Sequence, residues 1–255
     1  PFMLFLTALI FRAVAIEFRS KEPMRWWRKT WDRVYCGASI LIAFLLGLVL
    51  GNLYLGLAID ENFEYQGGLW EMFNPYALFT GVTVVALFAM HGANYLIMKT
   101  EKRLHVKLIL LAKQSSRFFV ICYVILSLAT LLYLPDKVAI FRSNPLLFII
   151  PVLTILSIIT TRRSVEKGRF FGAFLGSSIT QMLLLITFAI NLYPNLVVST
   201  LDPTFSINVY NGAASAKSLG IMLGFAAVGI PIVATYTFFV FWTFRGKVKL
   251  DESSY

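Results

Sequence analysis

The chain has 255 residues, of which 58% are apolar and only 14% are charged, and its formal net charge is +10. Soluble domains carry about 45–50% apolar and about 25% charged residues, so the composition argues against a water-soluble fold and predicts an all-α integral membrane protein. The basic residues lie in short clusters between apolar runs, which indicates membrane topology and argues against a nucleic-acid partner.

Seven apolar runs are long enough to be spans, since crossing the hydrocarbon takes about 20 apolar residues. In chain order they are 2–18, 37–58, 75–98, 116–134, 145–161, 169–192 and 219–244. The first is short and contains Arg12, which fits a helix that begins before this chain. The amphipathic stretch from Leu104 to Gln114 predicts a helical lead-in to the fourth span. Residues 1–255 are therefore predicted to form one polytopic helix bundle of about seven spans.

The connections between these spans alternate in charge. The second connection has no Lys or Arg and carries Asp60, Glu61, Glu64 and Glu71. The first, third and fifth connections and the tail hold most of the basic residues, including Arg19, Lys21, Arg25, Arg28, Lys29, Arg33, Lys99, Lys102, Arg103, Lys107, Lys113, Arg117, Arg162, Arg163, Lys167, Arg169, Arg245, Lys247 and Lys249. Cytoplasmic connections carry the excess of Lys and Arg, so the C-terminus is predicted to be cytoplasmic.

Small residues and prolines predict how the helices pack and where they begin. Gly47-x-x-x-Gly51 lets a second helix approach the second span closely, and Gly168, Gly172 and Gly176 repeat that spacing at the sixth. These patterns do not say whether the partner helix is in this chain or another. Asn74-Pro75 and Asn144-Pro145 predict an N-cap followed by Pro, whereas Pro151 and Pro231 predict kinks inside spans. Cys36 and Cys122 lack ligand-like spacing, so neither a disulfide nor a metal site is predicted.

Arg12 and Glu17 are the clearest candidates for chemistry, because ionisable groups within a span are costly and often functional. Arg12 can snorkel to the cytoplasmic interface, hold a carboxylate or a quinone oxygen, line a proton path, or form a structural salt bridge. Glu17 lies five residues on, or about 140° round the helix, so the two side chains are not expected to face each other. Glu17 also fits a solvated residue at a helix end.

His91, Asn52 and Asp32 are candidate polar residues with structural roles. His91 lies within the third span, where an interhelical hydrogen bond is favoured over haem ligation because no second His is placed to pair with it. His105 lies in the basic lead-in to the fourth span. Asp32 sits among Trp31, Arg28 and Arg33, where a local salt bridge is favoured over proton entry. Phosphate-loop, dinucleotide-binding and nucleophile-elbow motifs are missing from the sequence.

Several segments resemble, in register and in order, the subunit II family of cytochrome bd-type ubiquinol oxidases. The first are LTALIFRAVAIEFRSK (6–21) and WWRKTWD (26–32), which are similar to that family's third helix and following cytoplasmic loop. The later ones are GLVLGNLYLG (47–56), NPYALFTGV (74–82), HGANYLIMKTEKRL (91–104), NVYNGAASAKSLGIML (208–223) and GIPIVATYTFFVFWTFRGKVKL (229–250). The resemblance covers nearly the whole chain.

The resemblance implies the haem-free second subunit of a terminal quinol oxidase in the bacterial cytoplasmic (inner) membrane. In that family a homologous subunit I carries two b haems, a d haem or third b haem, and the main quinol site. Subunit II forms a heterodimer with it, binds no haem, shields the haems and can hold a structural quinone. No catalytic residue is then expected in this chain. Arg12 matches the family's proton-path position, and Glu17 matches the acidic residue of the same motif.

The chain departs from the family at its start. Full members carry further helices, about two, before the position of Pro1, with a Trp-Asp-Gly-Asn-Glu motif that includes an acidic proton-path residue. That motif is absent, so a fragment is expected. The sequence leaves open which quinone is used and whether a small accessory subunit binds. Two other classes of protein remain as alternatives: a stand-alone secondary transporter, for which no matching pair of interrupted spans is found, and an assembly or scaffold protein.

Overall fold

The chain forms an α-helical bundle, seen here in a computed structural model that describes residues 2–135, 137, 141 and 144–247. The α-helices of this part are α1 (Phe2–Arg19), α2 (Arg25–Leu55), α3 (Pro75–Lys99), α4 (Lys102–Tyr133), α5 (Ile149–Glu166), α6 (Phe170–Leu192) and α7 (Ala216–Thr243). Short 3-10 helices occur at Leu69–Phe73, Pro145–Phe148 and Pro203–Phe205. The strands β1 (Asn195–Val197) and β2 (Ile207–Asn208) form one antiparallel pair. The predicted all-α membrane fold is confirmed.

Six helical segments of the described residues are long and apolar enough to cross a bilayer. They are α2, α3, α4, α6, α7 and the continuous segment Pro145–Glu166, which contains α5. The remaining long helix, α1, has 18 residues and carries Arg12, Glu17 and Arg19. The count of about seven spans therefore depends on α1 and stays a prediction, as does the cytoplasmic position of the C-terminus.

Two helices extend well beyond the apolar runs that predicted them. The run at 37–58 corresponds to α2, which begins at Arg25. The run at 116–134 and the lead-in at 104–114 form the single helix α4. At 1.5 Å per residue, 31 residues of α2 span roughly 47 Å, more than the roughly 30 Å of hydrocarbon. Hydropathy locates the part of a helix inside the hydrocarbon, whereas backbone hydrogen bonding continues through the interface.

Prolines stand both at the beginning of helical segments, as at Pro75 and Pro145, and inside them, as at Pro231. The Oδ1 atom of Asn74 accepts a hydrogen bond from the Ala77 N–H at 2.8 Å, so the predicted N-cap before Pro75 is confirmed. Pro151 is the third residue of α5. It also lies within the continuous helical segment Pro145–Glu166, so the predicted kink at Pro151 stays a prediction. Pro231 does lie inside α7.

α3 occupies the centre of the bundle, where it packs against α2, α4 and α6. Its crossing with α2 is close because both helices present small residues. A Cβ atom added at Gly47 would lie 2.7 Å from the Cα of Gly81, and one added at Gly51 would lie 2.6 Å from the Cα of Ala77. The partner of the Gly47-x-x-x-Gly51 surface is therefore α3 of the same chain.

The predicted three-glycine surface at the sixth span is reduced to one close contact. A Cβ atom at Gly176 would lie 2.5 Å from the Thr161 Oγ1 on α5, whereas one at Gly172 would make only an ordinary contact with Ser164. Gly168 lies between α5 and α6 with φ +69°, a conformation that suits glycine. It forms the turn instead of the packing surface, which corrects that part of the prediction.

Two connections that the sequence assigns to the same, non-cytoplasmic side are joined to each other. Between α2 and α3, Leu57 donates its N–H to the Val198 carbonyl at 2.9 Å and accepts from the Thr200 N–H at 2.9 Å. The Ser199 hydroxyl donates to the Ile59 carbonyl at 2.7 Å. Because the partners lie between α6 and α7, both connections are at one end of the bundle, as the alternation of charge requires.

Asp60 organises the first of these connections through three hydrogen bonds. Its Oδ1 accepts from the backbone N–H groups of Asn62 and Glu64, each at 2.9 Å, and its Oδ2 accepts from Gln66 Nε2 at 2.6 Å. The bond from the Glu64 N–H is the largest cause that lowers the pKa of the Asp60 carboxyl below its ordinary value.

Acidification is therefore expected to loosen this connection. A lowered folded-state pKa means that the contribution to stability is complete above the unfolded pKa and is lost as pH falls through the folded pKa. Limited proteolysis by an acid-active protease should show cleavage increasing over that window, and Asp60→Asn should remove most of the pH dependence. The exposed neighbour Glu61 provides the control Glu61→Gln, and an equal loss of pH dependence in that variant would contradict the prediction.

α7 differs from the other helices in having no buried residue within the described part of the chain. It contacts the bundle near its end, where Lys99 Nζ donates to the Phe244 carbonyl at 2.8 Å. Just beyond, Lys247 Nζ lies 3.6 Å from Glu101 Oε1. These contacts place the end of α7 beside the connection between α3 and α4, two basic segments that the sequence assigns to the same side of the membrane.

Candidate functional site

Arg12 projects from α1 towards α2, where it meets Tyr35. Its Nη2 atom donates to the Tyr35 hydroxyl at 3.4 Å, and the guanidinium carbon lies 5.4 Å from the centre of the Tyr35 ring. Both side chains are exposed. A cation over an aromatic face is attracted by the ring quadrupole, so Tyr35 orients the guanidinium and leaves its other N–H groups available.

Glu17 is not brought together with Arg12. Its side chain is exposed, and no ion pair joins the two residues in the described part of the chain. Five residues of helix rotate the two side chains about 140° apart, which explains the separation. The geometry therefore provides a guanidinium–phenol pair between α1 and α2, with Glu17 as a separate carboxylate near the end of α1.

Asp32 closes the hairpin of α1 and α2 through an ion pair. Its Oδ1 accepts from Arg19 Nε at 2.6 Å, with the side chains 53% and 39% exposed, respectively. Trp27 Nε1 donates to the Phe18 carbonyl at 2.6 Å beside this pair. The sequence located the salt bridge among the neighbours of Asp32 on its own helix, whereas Arg19 comes from α1. Such an exposed pair contributes at most about 1 kcal/mol, so its main effect is on geometry.

His91 connects α3 to α6. Its Nδ1 lies 2.9 Å from the Ser177 hydroxyl, and its ring is stacked on Phe174 with the centroids 5.0 Å apart. The Ser177 hydroxyl also donates to the Phe174 carbonyl at 2.8 Å. A hydroxyl has one proton to donate, so it accepts from His91, and the hydrogen bonds assign the Nδ1–H tautomer.

Asn52 joins three segments at the other end of α2. Its Nδ2 donates to the carbonyls of Leu48 at 2.9 Å and Met72 at 2.8 Å, and its Oδ1 accepts from Asn74 Nδ2 at 2.9 Å. Asn74 also caps α3 by accepting from Ala77 N. Asn52 is buried, with 8% of its surface exposed. One amide therefore fixes the end of α2, the 3-10 helix and the start of α3 relative to each other.

Replacing Asn52 by leucine is expected to lower the free energy of unfolding by about 2 kcal/mol. The change leaves the Met72 carbonyl without its partner and removes one of the two acceptors of Asn74 Nδ2, which keeps its bond to the Glu71 carbonyl. An unsatisfied buried polar group costs about 1–3 kcal/mol. The destabilisation can be measured as a decrease in the thermal unfolding midpoint of the detergent-solubilised protein.

Asn191→Leu is the matched control for Asn52→Leu. Asn191 is also buried, but its Nδ2 donates only within its own helix, to the Thr187 carbonyl at 2.9 Å. The control is expected to change the midpoint much less. Equal effects of the two substitutions would show that Asn52 does not join the segments energetically.

Three residues with specific positions were not singled out from the sequence. Tyr35 and Arg19 are the partners of Arg12 and Asp32, and nothing in a single sequence pairs residues across a hairpin. Asn94 is 1% exposed, and neither atom of its side-chain amide has a hydrogen-bond partner in the described part of the chain. A carboxamide within an apolar span was the signal that could have identified it, since polar groups in spans serve packing or function.

Among the described residues, neither histidine belongs to a group of three or more ligand-type side chains. His105 Nδ1 lies 3.1 Å from the Ile97 carbonyl, and its ring packs edge-on against Phe170. Within residues 2–247, apart from the few that are not described, no three His, Cys, Asp or Glu side chains lie close enough to hold a metal ion together.

Residues 1–244 match the family model described as cytochrome bd terminal oxidase subunit II. The chain belongs to this family. The resemblance identified from the sequence segments is thereby confirmed, and the family membership accounts for the order of those segments along nearly the whole chain.

Curated members of the family match over the same length. Cytochrome bd-I ubiquinol oxidase subunit 2 of Escherichia coli (strain K12) is 26% identical over 280 residues, which cover 98% of this chain and 74% of the relative. The probable cytochrome oxidase subunit 2 of Haemophilus influenzae is 27% identical with the same coverage. Cytochrome bd ubiquinol oxidase subunit 2 of Bacillus subtilis is 27% identical over 256 residues, covering 99% and 74%. With the apolar helices, these bacterial relatives identify a multi-pass protein of the bacterial cytoplasmic (inner) membrane.

Proposed function

We propose that the chain is the haem-free second subunit of a bd-type quinol oxidase, the complex that oxidises quinol and reduces oxygen to water. The observation that carries the proposal is the family match over residues 1–244, together with relatives named as subunit 2 of ubiquinol oxidases. The chain is then part of an oxidoreductase complex. Its role is to stabilise a haem-bearing subunit I in a heterodimer within one polytopic domain.

The b and d haems and the catalytic centres are placed in subunit I under this proposal. This placement follows from the family membership and from the relatives named as subunit 2. In this chain, His91 uses Nδ1 to contact Ser177, and His105 uses Nδ1 to contact a backbone carbonyl. These contacts give both imidazoles structural roles between helical segments.

Arg12 is proposed as the residue of this chain that contributes to the proton path or contacts quinone. It is an exposed cation of α1 whose contact with Tyr35 uses one N–H group, on Nη2. Its other N–H groups can hold ordered water, a carboxylate of the partner or a quinone oxygen. Glu17 is the secondary candidate, as a carboxylate on the same helix. His91, Asn52 and Asp32 are proposed to act by holding helices together.

The alternatives, a stand-alone transporter or a scaffold, are not favoured by the family assignment. Co-purification distinguishes these alternatives from the proposal, because only an oxidase subunit is expected to purify with a haem-bearing membrane protein. An affinity-tagged chain should retain a second membrane protein, show the absorption of b- and d-type or b-type haem, and support quinol-dependent oxygen uptake. Expressed without that partner, the tagged chain should show no haem absorption. Haem in the chain alone, or a stable complex without haem and oxygen uptake, would contradict the proposal.

A further inference from the structure

A cavity of about 250 Å³ opens between α4 and α5. It lies at the end of the bundle where the basic connections are, because it is lined by the first half of α4 and the last turns of α5. The lining residues are Lys113, Ser116, Arg117, Arg162, Val165 and Glu166. No residue of this set takes part in the candidate site described above.

Positive charge predominates in this cavity. Lys113, Arg117 and Arg162 contribute three cations, and Glu166 contributes the single carboxylate. That carboxylate is already paired, since its Oε1 lies 3.3 Å from Arg162 Nε. Lys113 and Arg117 form no ion pair within the described residues, although Arg117 Nε donates to the Lys113 carbonyl at 3.4 Å. Two cations are therefore left to bind an anion.

A buried hydroxyl in the wall of the cavity points independently to a ligand. Ser116 is only 3% exposed, yet its Oγ has no hydrogen-bond partner among the side chains and backbone that the structure describes. Serine within a helix usually donates to a carbonyl of the preceding turn. The adjacent Ser115 does so, donating to the Ala112 carbonyl at 3.3 Å. Ser116 instead has a buried, unpaired hydroxyl in the same cavity wall as the two cations.

The cavity lies at the level of the membrane where lipid headgroups are found. From Ser116 to Tyr133 the helix rises roughly 26 Å, close to the roughly 30 Å thickness of the hydrocarbon. Ser116 and its neighbours therefore lie at the boundary where phospholipid phosphates are found. Deeper along the same helices, Ile121 and Ile159 are exposed, so apolar surface suited to acyl chains continues inwards from the cavity.

We propose that this cavity binds the phosphate of an anionic phospholipid headgroup. Lys113 and Arg117 supply the charge, and Ser116 donates a hydrogen bond to a phosphate oxygen. Basic pockets between transmembrane helices on the cytoplasmic side are suited to such headgroups. The volume is below the roughly 300–1,000 Å³ of sites that enclose a drug-sized ligand, so it holds the headgroup alone. The bound headgroup would be held by α4 and would lie against the last turns of α5.

The test measures lipid binding to the purified assembly that contains the full chain, after removal of its native lipid. Native mass spectrometry follows the first bound dioleoylphosphatidylglycerol as that lipid is titrated, with dioleoylphosphatidylcholine as the zwitterionic comparison. The double substitution Lys113→Gln/Arg117→Gln is expected to weaken binding of the first phosphatidylglycerol about 25-fold, because each charge near the surface contributes about fivefold to the affinity. Ser116→Ala is expected to weaken it about fivefold.

Two matched controls separate the site from general surface charge and from folding. Lys102→Gln/Arg103→Gln removes the same charge from the start of α4, and Ser115→Ala removes the neighbouring hydroxyl. Both are expected to stay within about twofold of the unsubstituted protein. Phosphatidylglycerol binding that is equally weakened by the cavity and control variants would overturn the proposal, as would equally tight binding of phosphatidylcholine. Competition by inorganic phosphate at lipid-like concentrations would overturn the assignment to a lipid. None of these measurements depends on oxidase activity.

Discussion

Replacing Gly47 and Gly51 together by alanine is expected to lower the free energy of unfolding of the assembled protein by about 4 kcal/mol. Each added methyl group overpacks the crossing, and overpacking costs about 1–3 kcal/mol. The atoms in the way are backbone atoms, the Cα of Gly81 at 2.7 Å and the Cα of Ala77 at 2.6 Å from the new Cβ atoms. Backbone cannot rotate aside as a flexible side chain can, so α2 and α3 must separate.

Gly37→Ala is the matched control for that pair of substitutions. Gly37 is on the same helix, and nothing lies within 4 Å of the position of its added Cβ. There the substitution is expected to stabilise slightly, since glycine costs about 1 kcal/mol relative to alanine within a helix. The thermal midpoint is therefore expected to fall in the double variant and to rise slightly in the control. Thermal unfolding in detergent measures both, and an unchanged midpoint in the double variant would contradict the close crossing.

Arg12→Leu is expected to reduce quinol-dependent oxygen uptake at least about tenfold without loss of haem from the assembly. A hydrogen bond to a charged group contributes about 1.5–3 kcal/mol, which corresponds to a rate effect of roughly 10- to 150-fold if it acts on the limiting step. Arg12→Lys keeps the charge but loses the planar set of donors, so an intermediate loss is expected. Tyr35→Phe keeps the ring beneath the guanidinium and removes only a long hydrogen bond, so its expected effect is about twofold.

Arg25→Leu tests whether any basic residue of this hairpin would have the same effect. Arg25 is an exposed arginine at the start of α2, and its replacement is expected to leave turnover within about twofold. Haem absorbance per assembly must be measured in parallel, so that a decrease in turnover is distinguished from dissociation of the haem-bearing partner. Wild-type turnover in Arg12→Leu would show that Arg12 only extends to the membrane interface and has no part in proton or quinone chemistry.

Most of the fold could be predicted because lipid imposes a simple rule on sequence. Every backbone group in the hydrocarbon must be paired within its own helix, so apolar runs become helices, as at 75–98 and 169–192. This rule does not apply outside the hydrocarbon. The first turns of α2 from Arg25 and the pairing of the connections through Leu57 and Ser199 could therefore not be predicted from it.

Individual residues of the candidate site could be selected from the sequence, but their contacts with each other could not be predicted. A charge in an apolar run is visible in the sequence, which is why Arg12 was found. Its neighbour Tyr35 is 23 residues away on another helix, and that contact depends on how the two helices cross. Ser116 illustrates the same limit, because a serine is ordinary in a span until its burial and missing partner are known.

The central position of α3 bears on how the protein is made. Helices α1 to α4 each pack against the next in the chain, and α5 packs against α6. These hairpins can form in the order of synthesis, whereas the contact between α3 and α6, fixed by His91 and Ser177, must await the second group. Because lipid offers no hydrophobic drive to join helices, polar contacts such as His91–Ser177 help to hold the two groups together, beside the smaller contact between α4 and α5.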